Sequence, residues 1–361
     1  METKWFDIEQ ILSLIEQNPN ISDLHLSSGE CVSYRINWEI QKVENSGIIT
    51  SEWIEIILKQ LFHGNTQRLE KFMWDKEADF AYVAKDWTAF RVNAYFKTWR
   101  IAIVMRKIIK TPMKLDNIIL SNIANSIREH VLQKKKWLYL VTGPTWSGKS
   151  TSIVSMLEEI NQWRSENLIT IEDPIEYVFS PKKCIISQRE IWHDTRSFSN
   201  ALRAAMRQDP DILFIWEIRD SETATAVLEL AETWHLVFST LHTNSASNTI
   251  NRFMSFFPPN IQNLIAERLW DVLLGIQSQA LVKSKGGDNR VALFELMINN
   301  SSIKNNIKKR DIAQLDSIIS TSTNLWMITM KQYADLLIKK WIINKSDVER
   351  LYNTWIADSN I

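Results

Sequence analysis

Residues 137–151 read WLYLVTGPTWSGKST, an apolar run that passes through G-x-x-x-x-G-K-[ST] into the helix-compatible STSIVSMLEEI. Strand, loop and helix in that order form the context in which this motif cradles phosphate. Backbone N–H groups of the loop and the helix N-terminus face the anion, and a lysine neutralises it. Gly143, Pro144, Thr145, Trp146, Ser147, Gly148, Lys149, Ser150 and Thr151 are therefore the candidate nucleotide-binding residues. Lys149 is placed for the β- and γ-phosphates, and the Ser150 hydroxyl for Mg2+. A glycine loop that binds nothing is the competing reading, and the flanking strand and helix count against it.

Three more apolar runs, NLITIED, ILFIWEI and HLVFSTLH, alternate with helical segments, the pattern of a parallel sheet with crossover helices. ILFIWEIRD delivers Glu217 to a strand's C-terminal end, where ligands sit in open α/β sheets. Glu217 is either a general base polarising the attacking water or a salt-bridge partner for Arg219. LITIEDPIE sets Glu172, Asp173 and Glu176 after another strand, with Pro174 stiffening the turn. These carboxylates either converge on metal and water, Glu172 and Asp173 as metal ligands, or form a solvated acidic turn. His235 and His242 bracket LVFSTL, and their separation of seven puts them on opposite faces of an extended chain, so they do not share one ligand unless the strand ends first.

The chain of 361 residues is expected to hold two domains. Residues 1–110 read as a small α/β domain with helices FDIEQILSLIEQ and SEWIEIILKQLF and two hairpins. Residues 111–117, with Pro112 barring helix continuation, form a linker. The nucleotide-binding core spans 118–290, and residues 291–361 form a C-terminal helical subdomain. With 42 basic and 42 acidic residues there is no whole-chain positive field, and no nucleic-acid partner is expected. Two cysteines far apart argue against a disulfide framework or structural zinc and point to a reducing, cytoplasmic compartment. The opening METKWFDIEQILSLIEQ lacks a basic n-region followed by an apolar h-region, and no run reaches the length of a spanning helix. Any membrane contact is expected to be peripheral.

Tryptophan is the compositional anomaly. There are 16 Trp and only 8 Gly, whereas ordinary usage gives a chain of this length roughly 25 glycines. Many of the tryptophans stand where glycine's free φ is wanted. Asn37-Trp38 and Asp86-Trp87 separate strand-like runs, and with glycine both become two-residue hairpin turns. Trp341 follows a lysine-ended helix, where a left-handed glycine closes the last turn. Trp53 and Trp270 lie in helix-like stretches and do not discriminate. The reading adopted is that the gene uses UGA for glycine; the alternative is a Trp-rich protein with ordinary aromatic packing. If the tryptophans are real, a catalytically dead scaffold becomes credible.

These boxes, in this order, resemble the type II and type IV secretion ATPase superfamily, and within it the retraction ATPases of type IV pili. The carriers are the phosphate loop, ITIEDPIEYV, the strand ILFIWEIRD and AETWHLVFSTLHTNSA. ADFAYVAKDWTAFRVNAYF and the small N-terminal domain favour the retraction branch, as does the lack of a four-cysteine module. Where the chain departs from the boxes at Trp146, Trp192, Trp216 and Trp234, the superfamily pattern has glycine. The branch's C-terminal A-I-R-N-L-I-R-E stands here as Ser302 to Lys309, SIKNNIKK, with lysines that lack arginine's planar fork.

The resemblance implies a RecA-like P-loop core with a smaller PAS-like N-terminal α/β domain. It implies a homohexamer hydrolysing ATP with Mg2+ at a nucleotide between the domains, held at the inner face of the cytoplasmic membrane by a platform protein there and acting indirectly on the pilin filament. It also implies arginine clamps on the phosphates, for which Arg91, Arg106, Arg203 and Arg207 are the candidates by position, each equally able to be a surface ion pair. Glu176 joins them as a catalytic candidate, and His235 becomes a γ-phosphate sensor. Pilus assembly or type II secretion is the nearest alternative function, and nucleic-acid translocation a more distant one.

Overall fold

The computed structural model describes residues 8–358 except 19–20, 37–38, 44–45, 86–87, 109–111 and 287–288. The chain divides into two compact units. The first comprises residues 1–111 with Glu172–Phe179 and Glu190–Asp194; the second holds the rest.

In the first unit, α1 (Ile8–Gln17), β1 (Ile21–Ser27), β2 (Ser33–Ile36) and β3 (Glu39–Lys42) precede α2 (Ser51–Leu61) and α3 (Thr66–Asp75). The strands β4 (Glu77–Val83), β5 (Ala89–Lys97) and β6 (Arg100–Lys107) follow. The sheet runs β3-β2-β1-β6-β5-β4 with every pairing antiparallel. Alternation sorts its faces. Phe90, Val92 and Ala94 of β5 and Ile101, Ile103 and Met105 of β6 are buried, packing with Ile54, Ile57 and Leu58 of α2, while Arg91 and Arg106 point to the other face. The β2–β3 and β4–β5 hairpins form, but their turns at 37–38 and 86–87 lie outside the described residues. The β5–β6 turn is described: Lys97 pairs with Arg100, and Thr98 and Trp99 between them both have positive φ.

The second unit opens with α4 (Leu115–Ile118), α5 (Ser121–Ile127) and a π turn at Arg128–Leu132. Then come β7 (Trp137–Thr142), α6 (Lys149–Trp163), β8 (Asn167–Glu172), β9 (Ile185–Glu190), α7 (Phe198–Ala205) and β10 (Ile212–Ile215). They are followed by α8 (Ser221–Glu232), β11 (Leu236–Leu241), α9 (Ala246–Ser255), α10 (Gln262–Val272), β12 (Leu273–Lys283) and β13 (Arg290–Ile298). The chain ends in α11 (Ser301–Lys309), α12 (Leu315–Thr321), α13 (Met330–Lys339) and α14 (Lys345–Asp358). The seven strands are ordered β13-β12-β7-β11-β10-β8-β9, with β12, β7, β11, β10 and β8 mutually parallel. Strands covered on both faces are buried along their whole length rather than alternating, as β10 and β11 are. Tyr139 is fully buried there, and its hydroxyl donates to Gln277 Oε1 at 3.2 Å, which offsets the cost of burying it.

Three expectations need correcting. The helical tail does not begin at 291: RVALFELMI pairs along its whole length with β12, and helices start at Ser301. The linker 111–117 already contains α4 from Leu115, and its first residue lies outside the described residues. The acidic segment expected inside the large domain instead has its contacts with the first unit.

Candidate functional site

The phosphate loop leaves β7 at the C-terminal edge of the parallel strands and enters α6. Gly143 and Gly148 hold φ of 151° and 86°, and a Cβ on Gly143 would lie 2.2 Å from the Gln279 carbonyl oxygen. Only glycine fits that approach. Lys149 Nζ donates to the carbonyls of Gly143 at 2.7 Å and Pro144 at 3.0 Å, which hold the ammonium across the loop mouth. Gln279 on β12 braces the loop from below, its amide donating to Ser147 O at 2.8 Å. The Ser147 hydroxyl is buried with no hydrogen-bond partner. A cradle of backbone N–H groups at a helix N-terminus, a lysine and an orphaned hydroxyl fit a polyphosphate chain.

Two strands away, Glu217 follows β10 at the same edge. Its carboxylate accepts from Arg219 Nε at 2.9 Å and lies 3.3 Å from His242 Nε2. Burial pushes the Glu217 carboxyl up, but the hydrogen bonds from His242 and Arg219 outweigh it and leave the group below the ordinary glutamate value. Glu217 thus pairs with Arg219 and is at the same time an ionised carboxylate at the ligand edge.

His235 is not at this site. It immediately precedes β11, whereas His242 immediately follows it, and six residues of strand span about 20 Å. His235 Nδ1 instead lies 3.0 Å from Leu230 O, closing the end of α8. His242, the other histidine of the same box, is the one that lies beside Glu217.

In the first unit, one row across the sheet carries Arg91, Arg106, Asp23 and Arg35 on directly opposed positions of β5, β6, β1 and β2. Like charges in register repel. Here carboxylates offset the charge: Arg106 Nε bonds Asp23 Oδ1 at 2.7 Å, and Arg91 bonds Glu176 Oε1 at 3.3 Å. Glu176, expected beside metal and water, is engaged by Arg91. Glu172 is buried at the end of β8 and Asp173 follows it; both have partners. Glu190, which sequence reading passed over, is the clamp of this segment. Its buried carboxylate accepts from the N–H groups of Ala81 and Ile175 at 3.0 Å. Burial raises its pKa, and those bonds only partly offset the rise. Of the remaining arginines, Arg203 pairs with Glu222 at 3.2 Å on the surface, and Arg207 is exposed beyond α7. Neither is brought to the phosphate loop by any contact described.

Trp146, Trp192 and Trp234 all have positive φ; Trp216 does not. In α11, Ile303 and Ile307 are buried, and Lys304 and Lys308 lie 5.4 and 5.7 Å from the centre of the Trp270 ring. Among the described residues no helix is long and apolar enough to cross a membrane.

A parallel sheet with a phosphate loop at its C-terminal edge and an ionised glutamate two strands away defines a P-loop nucleotide-hydrolysing protein. Comparison with known proteins narrows the class. Residues 9–326 match the family described as type II/IV secretion system protein, and the chain belongs to that family. It is 35% identical over 342 residues to the "Type IV pilus retractation ATPase PilT" of Pseudomonas aeruginosa, covering 94% of this chain and 96% of that one. It is 34% identical to the "Twitching motility protein" of Neisseria gonorrhoeae, covering 92% and 88%. A crystal structure of the pilus retraction motor PilT with bound ADP superposes with a TM-score of 0.84 at 35% identity, covering 95% of this chain and 96% of that chain.

Proposed function

We propose that this protein is an ATP-hydrolysing motor that powers type IV pilus retraction as a homohexamer. The observation that carries it is the pairing, at one sheet edge, of the Lys149 loop with the Glu217–His242 couple. Similarity along nearly the whole length to a pilus retraction ATPase supports the direction of work.

In this reading the loop's N–H groups and Lys149 bind the β- and γ-phosphates, the Ser147 hydroxyl gaining a partner there. Ser150, at the start of α6, would hold Mg2+ together with the phosphates, and Mg2+ when bound neutralises charge on their oxygens. Mg2+ keeps most of its waters and needs few protein ligands. The donor set fits that form: Ser150 offers a single hydroxyl at the start of α6, beside the Lys149 loop. Glu217 accepts the proton of the attacking water, and His242 reports the γ-phosphate to that carboxylate. By the resemblance Arg91 and Arg106 are the arginine clamps, and in this chain each is held by a carboxylate, Glu176 and Asp23. The platform protein at the inner membrane face and the pilin filament are the partners such a motor works on. The alternative, pilus assembly or protein secretion, uses the same chemistry.

The test is Mg2+-dependent ATP turnover alongside native mass. Glu217→Gln should retain nucleotide binding and lose about a hundredfold or more in turnover. Unchanged turnover would remove Glu217 from the chemistry. Restored twitching in Pseudomonas aeruginosa lacking PilT would separate retraction from assembly.

A further inference from the structure

Twelve non-glycine residues among those described have φ in the left-handed region, and seven are tryptophan: Trp99, Trp137, Trp146, Trp192, Trp234, Trp326 and Trp341. Tryptophan is 16 of 361 residues, so its ordinary share of twelve is less than about one. Residues with a Cβ avoid this region because it crowds the following carbonyl, and after glycine it is asparagine and aspartate that tolerate it. Here aspartate supplies only Asp209, and asparagine supplies none.

The settings are those that glycine serves. Thr98 and Trp99, at φ 46° and 67°, form a two-residue hairpin turn in which both central residues are left-handed, the geometry that selects X-Gly. Trp341, at φ 60°, closes α13: its N–H donates to Ile338 O and that of Ile342 to Leu337 O, the paired bonds of a glycine-type helix end. Trp146, at φ 65°, sits in the phosphate loop between Gly143 and Gly148. Six of the seven indoles are more than half exposed and fill no core. Trp53 behaves differently, being helical, 3% exposed and packed in the first unit's core.

We propose that these seven positions are glycine in the protein as its own cells make it, the gene carrying UGA there and the cell reading UGA as glycine. Position 146 is then a third glycine of the phosphate loop, and no indole stands on the rim where the nucleotide enters. The inference rests on backbone geometry and does not depend on the proposed function.

The codons come first: UGA at all seven positions is expected, and UGG at them overturns the proposal. Trypsin acting at Lys136 and Lys149 releases residues 137–149, which contain two of the seven positions. Its mass, in protein isolated from cells that carry the gene, should show glycine at both; the mass with tryptophan overturns the proposal. Third, the chain as written is compared with a variant carrying glycine at all seven. The variant should melt roughly 10 °C higher or more and bind an ATP analogue more tightly. Trp53→Gly, the same chemical change at a helical core position, should lower the melting temperature. A seven-glycine variant that melts no higher than the chain as written sinks the idea.

Discussion

Glu217 accepts from Arg219 and lies beside His242, so its carboxyl is ionised well below neutrality, as the base role proposed for it requires. The two histidines of the box offer a sharp contrast at this scale. Loss of a buried or charge-assisted hydrogen bond costs about 1–3 kcal/mol, so His242→Ala should lower turnover by roughly tenfold or more. His235→Ala should leave turnover nearly unchanged and act on stability through the end of α8. Steady-state kinetics of the two variants side by side decides this, and the opposite ranking would restore His235. The left-handed tryptophans also matter here. Each costs about 1–2 kcal/mol, and seven together rival the entire net stability of about 5–15 kcal/mol. The ring-to-lysine contacts of Trp192, Trp234 and Trp341 return only about 0.5–1 kcal/mol each at exposed sites.

Among elements, those with strong local patterns were legible in the sequence. The phosphate loop, the apolar strands β7, β8, β10 and β11, and helices α1, α2 and α6 follow from spacing alone. What escaped depends on which end of a strand faces the ligand, or on groups far apart in the chain. His235 and His242 have similar local surroundings, and only the strand's direction separates them. Glu190 clamps Ala81 from a distance of 109 residues, and a buried carboxylate leaves no periodic signal. β13 was missed because RVALFELMI reads equally well as either kind of buried element.

Glu295 on β13 is another such clamp. It accepts from Ala246 N–H at the start of α9 and from Met330 N–H at the start of α13. Burial dominates those bonds and pushes its pKa up to about 7 from 4.5. The folded state therefore holds a proton that the unfolded chain releases. This contribution to stability is complete below about pH 4.5 and is lost as pH rises through about 7, amounting to roughly 3 kcal/mol. Urea midpoints should fall between these pH values in the parent and fall less in Glu295→Gln. Equal slopes would show that Glu295 does not govern the change.

For the whole molecule, the proposed ring makes a prediction that no single subunit can. If Arg106 serves a neighbouring subunit's nucleotide, Arg106→Ala and Glu217→Gln chains are each inactive alone. Mixed before assembly, they should regain activity at roughly a quarter of their sites, where an intact Glu217 meets an intact Arg106. A mixture as inactive as its components would confine Arg106 to its own subunit.

The chain enters the first unit three times, at residues 1–111, 172–179 and 190–194, and Glu190 arrives on the last of these passes. Genetic modularity is the casualty. A gene fragment ending at residue 111 encodes the whole six-stranded sheet yet omits the carboxylate bonded to Ala81 and the Glu176 that faces Arg91. Such a fragment should show faster amide exchange along β4 than the intact chain, and equal protection would show that the sheet needs neither. The small domain is thus not a cassette that recombination could transfer by cutting once at the linker; its inheritance is tied to the ATPase core that threads back through it.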